Sequence, residues 1–306
     1  MFFEIKIKIW KWIKRKAKIH RSWRQLKAAQ KRKIERRFYK HRYSTQDIIS
    51  LMKSMGLKKG ATVFVQSSWD EFFNYTGTIN EFIDAILAEI GTDGTLAMPA
   101  LPLLRKPDSI FRLKRTPTDA GMIAEAFRNY PGVKRSANRH SVCALGPKSD
   151  YLLNEHQYSV TCWDKKSPYY KLAEIDALVF LFGVDFIIGT MIHCVESVLK
   201  DELPYFARFF IKKAILKIEL EDKTIYSQES YTSEEGFPRY ITKSSKRKFI
   251  KHFDKSKFAK TKLSNLFVQM YDANYFINRA IELGREGVVI FERPVPSKDL
   301  FPQKKW

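Results

Sequence analysis

Cysteine is scarce in this chain of 306 residues. The three present, Cys143, Cys162 and Cys194, form no CxxC pair and no Cys/His cluster of zinc-site spacing, so neither a zinc site nor a disulfide framework is expected. An odd count in a chain this long points to a reducing compartment and to buried thiols. Cys194 directly follows His193, but helical neighbours at i and i+1 do not face each other, which argues against a Cys-His nucleophile pair. Long hydrophobic runs are missing too. No apolar stretch approaches the roughly 20 residues that span a bilayer, and no small-residue cleavage site follows an apolar segment as a signal peptide requires. Acidic residues are in deficit: 33 Asp/Glu against 55 Lys/Arg leave a net charge of +22.

That excess is local. Residues 1–43 hold 17 Lys/Arg and 2 Asp/Glu, so the other 263 residues carry only +7. A nucleic-acid reading of the whole chain loses most of its force, and no nucleic-acid partner is favoured. Within the arm, Ile5, Ile9, Trp12, Ile19, Trp23 and Leu26 fit one helical stripe interrupted by Lys16, and residues 2–38 contain no Pro or Gly. A basic amphipathic helix with Trp anchors resembles an interfacial helix on an anionic membrane surface. A solvated extension, an oligomer contact and an RNA-binding segment stay open beside it. Residues 1–43 therefore form one expected unit and 44–300 the other. With 44% apolar and 14% aromatic residues, the larger unit has the composition to fold around a core.

Ser44-Thr45-Gln46-Asp47 opens a helix that Gly56 closes. Residues 62–65 read as a strand running into Gln66-Ser67-Ser68, where small hydroxyl residues leave backbone N–H groups free for phosphate or form an ordinary turn. Ile79–Ile90 is an amphipathic helix, Thr95–Pro99 a short strand, residues 101–120 an irregular Pro-containing loop, and 120–129 a helix. His140 enters the strand His140-Ser141-Val142-Cys143-Ala144, and Ser167-Pro168 starts another helix. Strands are expected at 214–220, 224–226 and 288–291, and a helix at 274–283. Residues 230–262 look charged and loop-rich, and His156 and His252 read as surface residues.

Residues 177–199, ALVFLFGVDFIIGTMIHCVESVL, organise the rest. A buried strand ends at Gly183, and a helical segment follows from Thr190. His193 and Glu196, three apart, then project from one helical face. Imidazole and carboxylate just beyond a strand end suit proton transfer, and an i, i+3 structural pair is the competing reading.

TVFVQSSW at 62–69, GTLAMP at 94–99, TPTDAGMIAEAFR at 116–128, RSANRHSVCALGP at 135–147, SPYYKL at 167–172 and GTMIHCVE at 189–196 occur in that order. The succession resembles the aminoglycoside 3-N-acetyltransferase family over roughly residues 44–295. The resemblance implies a single three-layer α/β/α domain with a mixed central sheet, and acetyl-CoA as co-substrate without a metal. It also implies CoA near Gln66, Ser67 and Ser68, with His193 as base, Glu196 fixing its tautomer and Thr190 in the catalytic motif. Arg135 and Ser136 are candidates for CoA phosphate, and His140 and Asp164 for the acceptor. Two departures stand out. The family's usual His-Pro pair after Arg-Ser is replaced by Ala137-Asn138-Arg139-His140, and the loop 101–118 is basic through Arg105, Lys106, Arg112, Lys114 and Arg115. Like charges repel, so an amino sugar or glycan precursor bearing acidic groups suits this loop better than a polycationic antibiotic. N-acetylation is the leading expectation and O-acetylation of a surface-polysaccharide hydroxyl the alternative. The expected setting is cytoplasmic, with the arm offering attachment at the inner face of the cell membrane.

Overall fold

The computed structural model describes residues 23–302 apart from Pro107, 187–189 and 234–238. Residues 1–22 of the basic arm, Gly189 of the GTMIHCVE stretch and part of the segment 226–245 lie outside the described residues. Contacts divide the chain after His41. On the N-terminal side, α1 (Trp23–Phe38) is a helix with exposed Ile34 and Phe38. Among the described residues no helix is long and apolar enough to cross a membrane.

From Arg42 onward helices and strands are interspersed. In order they are α2 (Thr45–Ser54), β1 (Thr62–Ser67), α3 (Ile79–Ile90), β2 (Thr95–Pro99), β3 (Phe111–Arg112), α4 (Met122–Arg128), β4 (Lys134–Arg135) and β5 (Val142–Leu145). Then come α5 (Ser149–Leu153), α6 (Pro168–Glu174), β6 (Leu178–Phe182), α7 (Ile192–Leu199), α8 (Pro204–Ala207), β7 (Lys212–Glu219) and β8 (Ile225–Thr232). The chain closes with α9 (Lys243–Ile250), β9 (Phe258–Leu263), β10 (Leu266–Asp272) and α10 (Ala273–Arg285).

Local chemistry sets several boundaries. Ser44 and Asp47 form a reciprocal capping box at α2, and Thr78 and Glu81 repeat it at α3, each satisfying backbone N–H groups that the first turn leaves without partners. Gly56, at a φ of 104°, takes the chain out of α2. Ser167 caps α6 with Pro168 at its first position. At the end of β6, Gly183 has a φ of 67°, and a Cβ there would collide with the Glu71 side chain.

The main sheet runs β4-β5-β2-β1-β6-β10-β9. β1 pairs parallel with both β2 and β6, whereas β5 and β10 are antiparallel to their neighbours, so the sheet is mixed. Strand residues alternate between its faces. Phe64, Ala97, Val179 and Leu181 join one core with α6, α7 and α10; Val63, Val65, Leu96, Phe180 and Phe182 join a second with α2, α3 and α4. Helices thus cover both faces of one sheet, the expected three layers. Burying both faces explains why β6 reads as an unbroken apolar run and why Val63, Phe64 and Val65 of β1 are consecutive rather than alternating with polar residues. Each fully buried Phe or Val of these strands contributes about 1.5–3 kcal/mol.

Three expectations need correcting. Residues 288–291 form no strand: Val288 instead closes the end of α10 by donating to Leu283 O at 2.8 Å. The supposedly loop-rich 230–262 holds α9 and β9, and β9 is the sheet's edge strand. Its sequence FAKTKL alternates exposed Lys with half-buried residues, as an edge requires. β8 extends to Thr232, well beyond residue 226, because it pairs with β7 over its whole length. That hairpin and β3 make a small second sheet, whose Leu216 and Ile218 pack on Phe111.

Candidate active site

β1 lies between β2 and β6 and runs parallel to both, with α3 following β1 on one face of the sheet and α6 preceding β6 on the other. A crevice therefore opens beyond the C-terminal ends of these parallel strands. Gln66, Ser67, Ser68 and Thr190 line a cavity of about 510 Å³ there, with Pro99, Leu101 and residues 119–122 on the other wall. Gln66 Nε2 donates to Thr190 Oγ1 at 3.0 Å, tying the end of β1 to the entrance of α7. Gln66 Oε1 is buried without a hydrogen-bond partner among the described residues. A buried acceptor with no donor invites one from a ligand.

α7 is held by its apolar residues: Ile192, Cys194, Val195 and Leu199 are all in the core. This fixes the rotation of the helix, so that His193 emerges with its side chain 29% exposed while Glu196 stays 1% exposed. His193 Nδ1 meets Glu196 Oε2 at 2.8 Å. The imidazole is therefore oriented by a buried acid, and its Nε2 makes no hydrogen bond to another described residue. Trp163 packs on this ring with centroids 4.6 Å apart and on His140 at 4.2 Å. Burial, with the neighbouring His193 charge next, pushes the His140 pKa down to about 3, so its ring is neutral at physiological pH.

The remaining sequence candidates are placed differently. Ser136 is buried beneath the site, and its hydroxyl meets His156 Nδ1 at 2.8 Å and accepts from Val142 N at 2.9 Å. Arg135 donates to the carbonyls of Ala100, Leu113 and Thr116, with its guanidinium 4.6 Å from the Phe111 ring centroid. Neither lines the cavity. Asp164 is engaged by the backbone N–H groups of Val160, Thr161 and Lys166 and so braces its own loop. His156, expected at the surface, is fully buried: His156 Nε2 approaches Cys162 O, and Asn138 donates to the His156 carbonyl. The polar run around Ser136 and Asn138 hides this in the sequence, because those residues supply its hydrogen bonds.

A pH dependence follows. Burial lowers the His156 pKa from 6.5 to about 3. The unfolded chain binds this proton and the folded one does not, so the stability is complete above about pH 6.5 and is lost as the pH falls toward 3. Urea unfolding at pH 7, 6 and 5 is expected to show a loss of about 0.7 kcal/mol between pH 7 and 6 that grows toward about 1.4 kcal/mol per pH unit below pH 6 from such a residue. His156→Gln is expected to be less stable at pH 7 and to have a flatter profile.

All three thiols are buried, and burial pushes Cys143 up to about 12, Cys162 to about 11 and Cys194 well above its ordinary value. None is poised as a thiolate nucleophile. Among the described residues, no group of His, Cys, Asp and Glu is placed to hold a metal ion. Trp163 and Arg239 are the site residues that sequence reasoning missed. Arg239 Nη1 lies 3.3 Å from Glu196 Oε2 although it is 43 positions away.

The aminoglycoside 3-N-acetyltransferase family profile matches residues 64–283. A prophage-derived aminoglycoside N(3')-acetyltransferase-like protein of Bacillus subtilis, YokD, is 32% identical over 174 residues, covering 49% of this chain and 64% of that protein. The match thus spans less than two thirds of its length. Among solved structures, AAC-IIIb in a binary complex with CoASH superposes with a TM-score of 0.69 at 18% identity, covering 84% of this chain and 100% of that one. AAC(3)-IVa in complex with a gentamicin gives 0.68 at 21% identity, covering 83% and 93%. At these identities the structural likeness speaks for the fold.

Proposed function

Because the chain belongs to the aminoglycoside 3-N-acetyltransferase family, we propose that it transfers an acetyl group from acetyl-CoA to the amino group of an amino sugar or glycan precursor. The observation that carries this reading is the His193–Glu196 pair, ring partly exposed and acid buried, one helical turn from a cavity at the strand ends. Acetyl-CoA supplies the acyl group as an activated thioester. The residues present fit it. Gln66 offers an unpartnered buried acceptor to an amide N–H of the pantetheine arm, and the Ser67, Ser68 and Thr190 hydroxyls share the wall with apolar side chains.

His193 Nε2 takes the proton that the amine sheds as its N–C bond forms, and Glu196 steadies the charge gained by the ring. The ring then passes the proton to the departing CoA sulfur as the thioester C–S bond breaks. The Thr190 hydroxyl accepts from Gln66 and also neighbours the buried Tyr169 hydroxyl; turning its proton to the acyl oxygen would stabilise the negative charge that grows there. With every thiol buried and protonated, direct transfer between the two bound substrates is favoured over an acyl-enzyme.

The acceptor's charge follows from the loop beside the cavity. Leu101 and Asp119, at its two ends, line the wall. Arg112 pairs with Glu219 and Lys114 with Glu221, while the exposed Arg105, Lys106 and Arg115 form no ion pair among the described residues. An acceptor carrying phosphate or carboxylate groups is therefore favoured over a polycation. Mass spectrometry of nucleotide-linked amino sugars and of polycationic aminoglycosides, each incubated with acetyl-CoA and the protein, tests this. The anionic acceptors are expected to gain one acetyl with kcat/KM at least about tenfold higher, a margin that narrows with added salt. Equal or better turnover of the polycation at low salt would sink the acceptor assignment.

A further inference from the structure

Glu196 has two partners on one oxygen. His193 Nδ1 lies 2.8 Å and Arg239 Nη1 3.3 Å from Oε2, while Oε1 is buried with no hydrogen-bond partner among the described residues. Arg239 is itself held: its guanidinium carbon lies 5.1 Å from the Phe209 ring centroid, and Nη2 is 3.4 Å from Ser233 Oγ. A carboxylate 1% exposed needs a counter-charge, because an isolated buried anion either takes up a proton or draws a cation to itself. Among the described residues two groups bond to this one: a guanidinium that is always charged and an imidazole that is charged only when protonated. We propose that Arg239 is a positioning residue of this site, supplying the counter-charge to Glu196 so that His193 stands neutral and able to accept a proton.

This rests on the assignment of His193 as the base. In the alternative arrangement, without the guanidinium, the buried acid would hold a proton on the imidazole. The ring would then enter the reaction already occupied. Arg239 thus separates two functions of Glu196: orienting the ring in the resting site and stabilising its charge during transfer.

The other titratable groups around the pair are His140, neutral through burial; Tyr205, whose pKa burial raises first and the Glu196 charge raises further; and Cys194, raised by burial and also influenced by Glu196. None of these three carries a positive charge at neutral pH that could replace the guanidinium. Two further cations lie in this neighbourhood, Arg139 acting on His140 and Arg208 acting on Tyr205, and the hydrogen bond to Glu196 comes from Arg239.

The test is the titration of the His193 ring followed by NMR, the signal being assigned by its loss in His193→Ala. Arg239→Met keeps an apolar stem against Phe209 and removes the charge; Arg239→Gln is the second charge-removing variant should Met disturb folding. The His193 midpoint is expected to rise by about one pH unit in either, and Arg239→Lys, which restores the cation, is expected to return it toward the wild-type value. With an acceptor in hand, the acid limb of kcat/KM moves to higher pH in step, with KM for acetyl-CoA unchanged. A midpoint that stays put or falls in both charge-removing variants overturns the proposal, as does a lysine variant that behaves like them. The titration needs no turnover. A protein that acetylates nothing would sink the transferase reading and still leave the role of Arg239 decided by the ring.

Discussion

Replacing His193 with alanine is expected to lower the rate of acetyl transfer by about 10²–10⁴-fold, the usual cost of losing a general base. The argument starts from α7. Four core residues fix its rotation, so the ring cannot turn away from the crevice, and Glu196 holds its Nδ1. Removing the imidazole leaves the donor cavity intact, because Gln66, Ser67, Ser68 and Thr190 contribute its lining and His193 does not. Acetyl-CoA affinity measured by calorimetry should therefore survive while kcat falls. Loss of affinity in parallel with kcat would mean that His193 shapes the donor site instead. A near-normal rate would remove it from the chemistry altogether. The imidazole is 29% exposed, so the substitution opens little cavity in the core and the variant should fold.

The second large effect concerns stability. Arg135→Ala is expected to cost about 3 kcal/mol, since the guanidinium satisfies three carbonyls and each buried acceptor left without its charged donor costs about 1–3 kcal/mol. For a chain of this size, with an unfolding entropy of about 2.1 cal/mol/K per residue, that corresponds to a melting temperature lower by roughly 5 °C. The three acceptors belong to the end of β2 (Ala100) and to the loop that follows (Leu113 and Thr116), so one side chain fastens that loop to the sheet. Burial lowers the Arg135 pKa to about 10, which still leaves it charged at neutral pH. A group so fully used inside the protein is poorly placed to bind CoA phosphate. Well below the melting temperature, acetyl-CoA affinity of the variant is expected to stay close to wild type. A large drop in affinity with little change in melting temperature would restore the phosphate role read from the sequence.

Much of the architecture was legible residue by residue. The unbroken apolar run at 177–182 announced a strand buried on both faces, because only such a strand needs no polar side, and residues 62–65 read as a strand as well. Ser44 and Ser167 marked helix starts, since a short hydroxyl side chain before an apolar period can satisfy the first free N–H groups. The three-residue spacing of His193 and Glu196 made the pair visible, because contacts within one helical turn are written in the chain itself. What spacing cannot express is contact between distant segments. Arg239 lies 43 positions from Glu196, and only the folding of the intervening chain brings the two together. Ser136 and His156, 20 positions apart, are both buried and hydrogen-bonded to each other. β9 escaped notice because an edge strand, solvated on one side and rich in lysine, has the composition of a loop. Local pattern determined most of the elements and the His193–Glu196 pairing, through forces that act within a turn or two. Long-range closure alone decided which charges would be buried together, because desolvation depends on what the rest of the chain covers.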